Sequence, residues 1–145
     1  MTNGALYGRS DAQWDDLEEV GWDLLLDHAF TLTDYTELNQ DLARRTGQPA
    51  WDFRRADHRA AMGELLGRLT DRSFGESGLM ISALCKYMYE NDAGDGFYRK
   101  ALSLGLISEV LFKNKMGRWE WWAEHVGKVQ TWARDLAARP SAEQP

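Results

Sequence analysis

The feature that most narrows what this chain can fold into lies late in the sequence, where Trp119, Trp122, Val126, Val129, Ala133 and Leu136 fall at offsets of zero, three, seven, ten, fourteen and seventeen. That spacing keeps one side of an α-helix apolar for five turns, and a stripe of that length has to be buried against other elements. The helix is expected to begin near Ser108 or Gly117. A second stripe, Trp14, Leu17, Gly21, Leu24, Leu25 and His28, predicts a helix over residues 11–29 with Ser10 or Asp11 as its cap.

Shorter elements fit between these two. Phe30-Thr31-Leu32-Thr33 alternates apolar and polar β-prone residues and reads as a very short strand. Thr33 or Asp34 ahead of Glu37 caps a helix from Tyr35 to Thr46, which Gly47 terminates. Asp57 caps a third helix reaching Arg72, with Ala61, Met62, Leu65, Leu66 and Leu69 on its buried side. Gly63 and Gly67 on that helix suit a close helix neighbour or are merely tolerated there. Residues 79–89 are expected to form a strand, a buried helix being the alternative. A turn at Glu90–Gly96 leads into a short helix from Phe97 to Leu104, closed by Gly105. The fold class is therefore mainly α (α+β): a winged-helix-like order of helices, a small short-stranded sheet and a long Trp-rich C-terminal helix. One departure is visible, since a helix follows Gly96 where a wing strand should return. With 145 residues and no repeat or linker, a single domain over residues 1–139 is expected, with 140–145 as a disordered tail.

Charge is unevenly spread. Residues 11–41 hold ten Asp or Glu and no Lys or Arg, whereas residues 42–72 hold seven arginines against four acids, within a net charge of -6. Neither a secretion signal nor a membrane span is expected. One cysteine, Cys85, forms no internal disulfide and suits a reducing cytoplasm.

Motifs for chemistry are sparse. His28, His58 and His125 stand far apart with no metal-ligand spacing, and Asp92-Ala93-Gly94-Asp95-Gly96 lacks the alternating oxygens of a calcium loop and any following Gly-Lys-Ser/Thr. No metal, cofactor or catalytic residue is assigned. Seven tryptophans are the unusual element of composition. Trp22 and Trp121 lie off the stripe of their own helices, which makes them candidates for a partner surface, the alternative being a helix sandwiched on both sides in a small domain.

Tyr35-Thr36-Glu37-Leu38, Gly63-Glu64-Leu65-Leu66, Ile81-Ser82-Ala83-Leu84, Gly94-Asp95-Gly96-Phe97-Tyr98 and the late Trp-rich helix together resemble a group of small, uncharacterised bacterial and phage-associated proteins. The resemblance spans roughly residues 33–135 and implies a bacterial cytosolic or mobile-element setting, with no activity to carry over.

The leading expectation is a noncatalytic binding or regulatory module that meets a protein partner through an acidic, aromatic surface of Asp15, Asp16, Glu19, Trp22, Asp23 and Trp121. A second is a winged-helix-like nucleic-acid binder using Arg54, Arg55, Arg59, Arg68 and Arg72. A third is an enzyme with a composite site around Cys85, His58 or the Asp92–Asp95 loop.

Overall fold

A computed structural model of the chain describes residues 6–139, so the tail expected at 140–145 lies outside the described residues. The first helix, α1 (Asp11–Leu26), starts at a capping box in which Ser10 and Gln13 each accept the other's backbone N–H. It stops three residues short of the expected end. His28 donates its N–H to Leu25 in a tight turn, and its ring hydrogen-bonds to the Thr31 hydroxyl at 2.9 Å.

The predicted strand at residues 30–33 is shifted and shortened to β1 (Thr33–Asp34), which pairs in parallel with β2 (Cys85–Lys86) in the register Thr33 to Cys85 and Asp34 to Lys86. Helix α2 (Tyr35–Thr46) has the anticipated bounds, because both its signals are local: the Asp34 carboxylate accepts the Glu37 N–H, and Gly47 takes a left-handed φ of 75°. Helix α3 (Ala56–Ser77) runs five residues beyond Arg72, to a left-handed Gly78. Asp57 sits inside its first turn rather than capping it.

Residues 79–89 hold neither a full strand nor an α-helix. A buried 3₁₀ turn, Ile81–Leu84, precedes the two-residue β2. Its N–H groups are taken by other elements: the Ser73 hydroxyl accepts from Ile81 and the His125 ring accepts from Met80. After β2 come α4 (Asp95–Ser103), α5 (Glu109–Lys113) and α6 (Lys115–Ala138). The fold is thus mainly helical with a small parallel sheet. Both strands are two residues long and the chain beyond β2 enters α4, so no wing hairpin forms among the described residues.

Helix α6 buries Trp122, His125, Val129 and Ala133. The predicted stripe is right in direction but turned slightly, leaving Trp119, Val126 and Leu136 half-buried at its edge. Trp14, Leu25, Leu38, Met62, Leu69, Ile81, Leu84 and Tyr98 fill one continuous core with them. Helix α6 also reaches back across the chain: Gln130 donates to the Thr31 carbonyl at 2.8 Å and Arg134 to the Ala29 carbonyl at 2.7 Å.

Of the two readings for Gly63 and Gly67, the close helix neighbour is not found; such an approach occurs at Gly21, where an added Cβ would lie 3.1 Å from Leu69 of α3. At Gly63 a Cβ would meet nothing within 4 Å. Gly63→Ala is therefore expected to raise stability by about 1 kcal/mol, the helix-propensity difference alone, read as a higher urea midpoint at unchanged slope.

Candidate functional site

Asp15, Asp16, Glu19 and Asp23 all stand exposed on α1, where Asp11, Asp15, Glu19, Asp23 and Asp27 form one i,i+4 row. Within that row, among the described residues, only Glu19 is ion-paired, to Arg72 at 3.0 Å. The tryptophans expected beside these acids do not join them. Trp22 is a core residue, 6% exposed, meeting Trp132 edge-on at 5.8 Å beneath the Arg72 guanidinium at 4.0 Å. Trp121 stacks on His125 at 4.6 Å, beside Phe97. The acidic row is therefore a solvated charged face without either of these rings.

The five arginines proposed for nucleic acid divide. Arg68 bonds to Glu64 at 2.8 Å and covers Trp14, and Arg72 bonds to Glu19 and covers Trp22, so both lash α3 to α1. Arg55 pairs with Asp57. Arg54 grips the Asp52 carboxylate with two nitrogens, which holds that acid down at about 2. Arg59 donates to the Phe53 carbonyl at 2.6 Å.

The residues of the enzymatic alternative serve separate structural ends. Cys85 is buried and desolvation pushes its thiol well up, away from the nucleophilic thiolate. His58 accepts the Asp52 N–H at 2.7 Å. Asp92 accepts from Tyr98 and from the Ala93 N–H, fixing the turn ahead of α4, while Asp95 pairs with Arg99. Among the described residues no group of three His, Cys, Asp or Glu side chains is placed to hold a metal ion, and no helix is long and apolar enough to cross a membrane.

The most distinctive surface lies where α2 begins, α3 begins and the chain leaves β2. An open groove of about 360 Å³ is lined there by Thr36, Asp52, Phe53, Arg54, Arg59 and the run Tyr87-Met88-Tyr89. Its aromatic wall is a linked series: Phe53 meets Tyr35 at 6.3 Å, Tyr35 meets Tyr87 at 5.7 Å and Tyr87 meets Tyr89 at 5.8 Å, the last two edge-on. Tyr89 ends the series 80% exposed. The turn beneath it is fixed by the Tyr87 N–H donating to the Asp92 carbonyl at 2.8 Å. Gly94 is required behind it, since a Cβ there would lie 2.8 Å from the Tyr35 hydroxyl. Sequence reasoning named Arg54 and Arg59 but missed their aromatic neighbours, because Phe53 and Tyr87 are 34 positions apart and the only local signal was three large side chains in a row ahead of a turn.

Comparisons with protein-family models, with curated proteins and with solved structures find no match to this chain.

Proposed function

We propose that the protein is a noncatalytic binding module whose groove between Phe53 and Tyr89 receives a segment of a protein partner. One observation carries the reading: tyrosine, methionine and arginine, residue types suited to interface hot spots, converge around a single opening with one ring left bare. Arg54 and Arg59 are already held by Asp52 and the Phe53 carbonyl, so docking costs little additional side-chain ordering there. The exposed acids of α1 supply long-range attraction for a basic partner rather than the contact itself. A reducing cytoplasm suits the single buried thiol, and the bacterial or phage-associated setting suggested by the sequence motifs is compatible with a small binding protein of this kind.

The test is a peptide-display selection on the immobilised protein, followed by anisotropy titration of the recovered peptide. Tyr89→Ser with Arg59→Ser should weaken that peptide at least tenfold at unchanged Tm. Asp15→Asn with Asp16→Asn and Asp23→Asn should alter only the salt dependence. Recovery of no peptide, or of peptides indifferent to the groove variant, ends the reading.

A second reading has a specific observation in its favour: the edge-on pair Tyr87 and Tyr89, with the Tyr89 ring bare, beside Arg59, which has no carboxylate partner among the described residues, also offers surface to the bases of a single strand. Salt-sensitive binding of a labelled oligonucleotide, lost with Arg59→Ser, would put this reading first. The net charge of -6 and the acid row weigh against it.

A further inference from the structure

A smaller cavity of about 130 Å³ lies between α3 and α4. Gly63 and Gly67 of α3 and Gly96 of α4 line it, and a Cβ added at any of the three would meet nothing within 4 Å. Gly63 and Gly67 lie in the interior of α3, where glycine is unfavourable, and Gly96 lies in the first turn of α4. Gly63 and Gly96 are exposed, so the cavity opens to solvent, and no packing contact accounts for the three. They leave bare backbone beside open space, the arrangement that lets a ligand come close to main chain.

Leu66 and the rings of Tyr35 and Phe97 supply the apolar wall. Tyr35 and Cys85, the latter 2% exposed, both belong to the lining. Burial raises the pKa of each, so both stay neutral near pH 7. Lys100 is the one charged residue of the lining; its side chain is 30% exposed and is steadied at 2.7 Å by Asp71, which is mostly in solvent. The volume is close to that of the apolar cavity of about 150 Å³ known to admit a benzene ring.

We propose that this cavity binds a single-ring aromatic carboxylate, with the ring against the glycine backbone and Phe97 and the carboxylate paired to Lys100. The site is separate from the partner groove and does not depend on it, although Tyr35 forms a wall of one and packs behind the aromatics of the other.

The probes are benzoate and phenylacetate, with benzyl alcohol as the uncharged comparator and 2-naphthoate as the oversized one. Titration of the full chain with either single-ring acid should shift the Gly67 and Gly96 amide resonances saturably and slow alkylation of Cys85 at least fivefold. Lys100→Met should weaken the acids at least tenfold and leave benzyl alcohol unchanged, and Gly67→Leu, which fills the space, should abolish all of it. Absence of saturable shifts in the wild type overturns the proposal, as does equal binding of naphthoate or an acid affinity indifferent to Lys100→Met. Should Gly67→Leu not fold, the wild-type shifts and Lys100→Met decide the matter.

Discussion

Between pH 7 and pH 4 the protein is expected to lose about 3 kcal/mol of stability through one side chain, His125. The ring is 5% exposed, its Nε2 accepts the Met80 N–H at 3.0 Å, and burial, aided by the nearby Lys128 charge, holds its pKa at about 4 against an ordinary 6.5. Above pH 6.5 the ring is neutral in both folded and unfolded chains, so it contributes no slope. Below that value the unfolded chain takes up a proton that the folded chain refuses, and stability falls by about 1.4 kcal/mol per pH unit until the folded ring also titrates. Protonation then sets a donor against the Met80 donor. Urea unfolding across a pH series checks this, with His125→Gln as the reference, since glutamine can accept from Met80 but does not titrate. Carboxylates titrate alike in both proteins and cancel in the difference. Parallel stability curves for the two proteins would refute the assignment.

Trp14→Ala should be the most damaging single truncation in the first helix, costing about 3–5 kcal/mol. The indole lies 6.1 Å from Trp51, donates to the Leu6 carbonyl at 2.9 Å and carries the Arg68 guanidinium at 4.9 Å from its centroid. Its removal opens a large void, leaves the Leu6 carbonyl with the Arg9 N–H alone and takes away the platform under an arginine that joins α3 to α1. Total stabilities of about 5–15 kcal/mol are usual, so the variant should be partly unfolded at 37 °C. Trp14→Phe keeps most of the apolar volume and should recover more than half of the loss. Tyr89→Ser, at the open end of the groove, should shift stability by no more than about 0.5 kcal/mol. A cost below about 1 kcal/mol for Trp14→Ala, measured by denaturant unfolding, would contradict the packing described.

These residues also show where the sequence was readable. Helix α2 was legible to the residue because its start and stop depend on Asp34 and Gly47 alone. Helix α3 was stopped too early at Arg72: its C-terminal glycine is Gly78, and the intervening Ser73 and Phe74 belong to its packing. The 3₁₀ turn at Ile81–Leu84 was not legible, since its donors are satisfied by Ser73 and by His125, the latter 45 residues away. His125 is absent from the predicted stripe of its helix, and the face is turned slightly as a result, because a satisfied buried histidine has no signature in periodicity. Trp22 looked outward from α1 only until α3 and α6 supplied Arg72 and Trp132 to cover it. Of the candidate groove, the arginines were visible as a local charge excess, whereas the joining of Phe53 to the Tyr87–Tyr89 run depends on tertiary contact.

The bonds from Gln130 and Arg134 to the carbonyls of Thr31 and Ala29 bridge separations of 99 and 105 residues. Closing so long a loop carries a high entropic toll before any contact repays it, so seating of α6 is expected among the last events of folding. During synthesis the earlier helices therefore emerge with the Trp22 side of α1 and the 3₁₀ turn still uncovered. They wait for a segment that is the last part of the core to leave the ribosome. A ribosome stalled with the chain short of Lys115 would hold a wet, protease-sensitive intermediate, and emergence of α6 would be the moment at which this core closes.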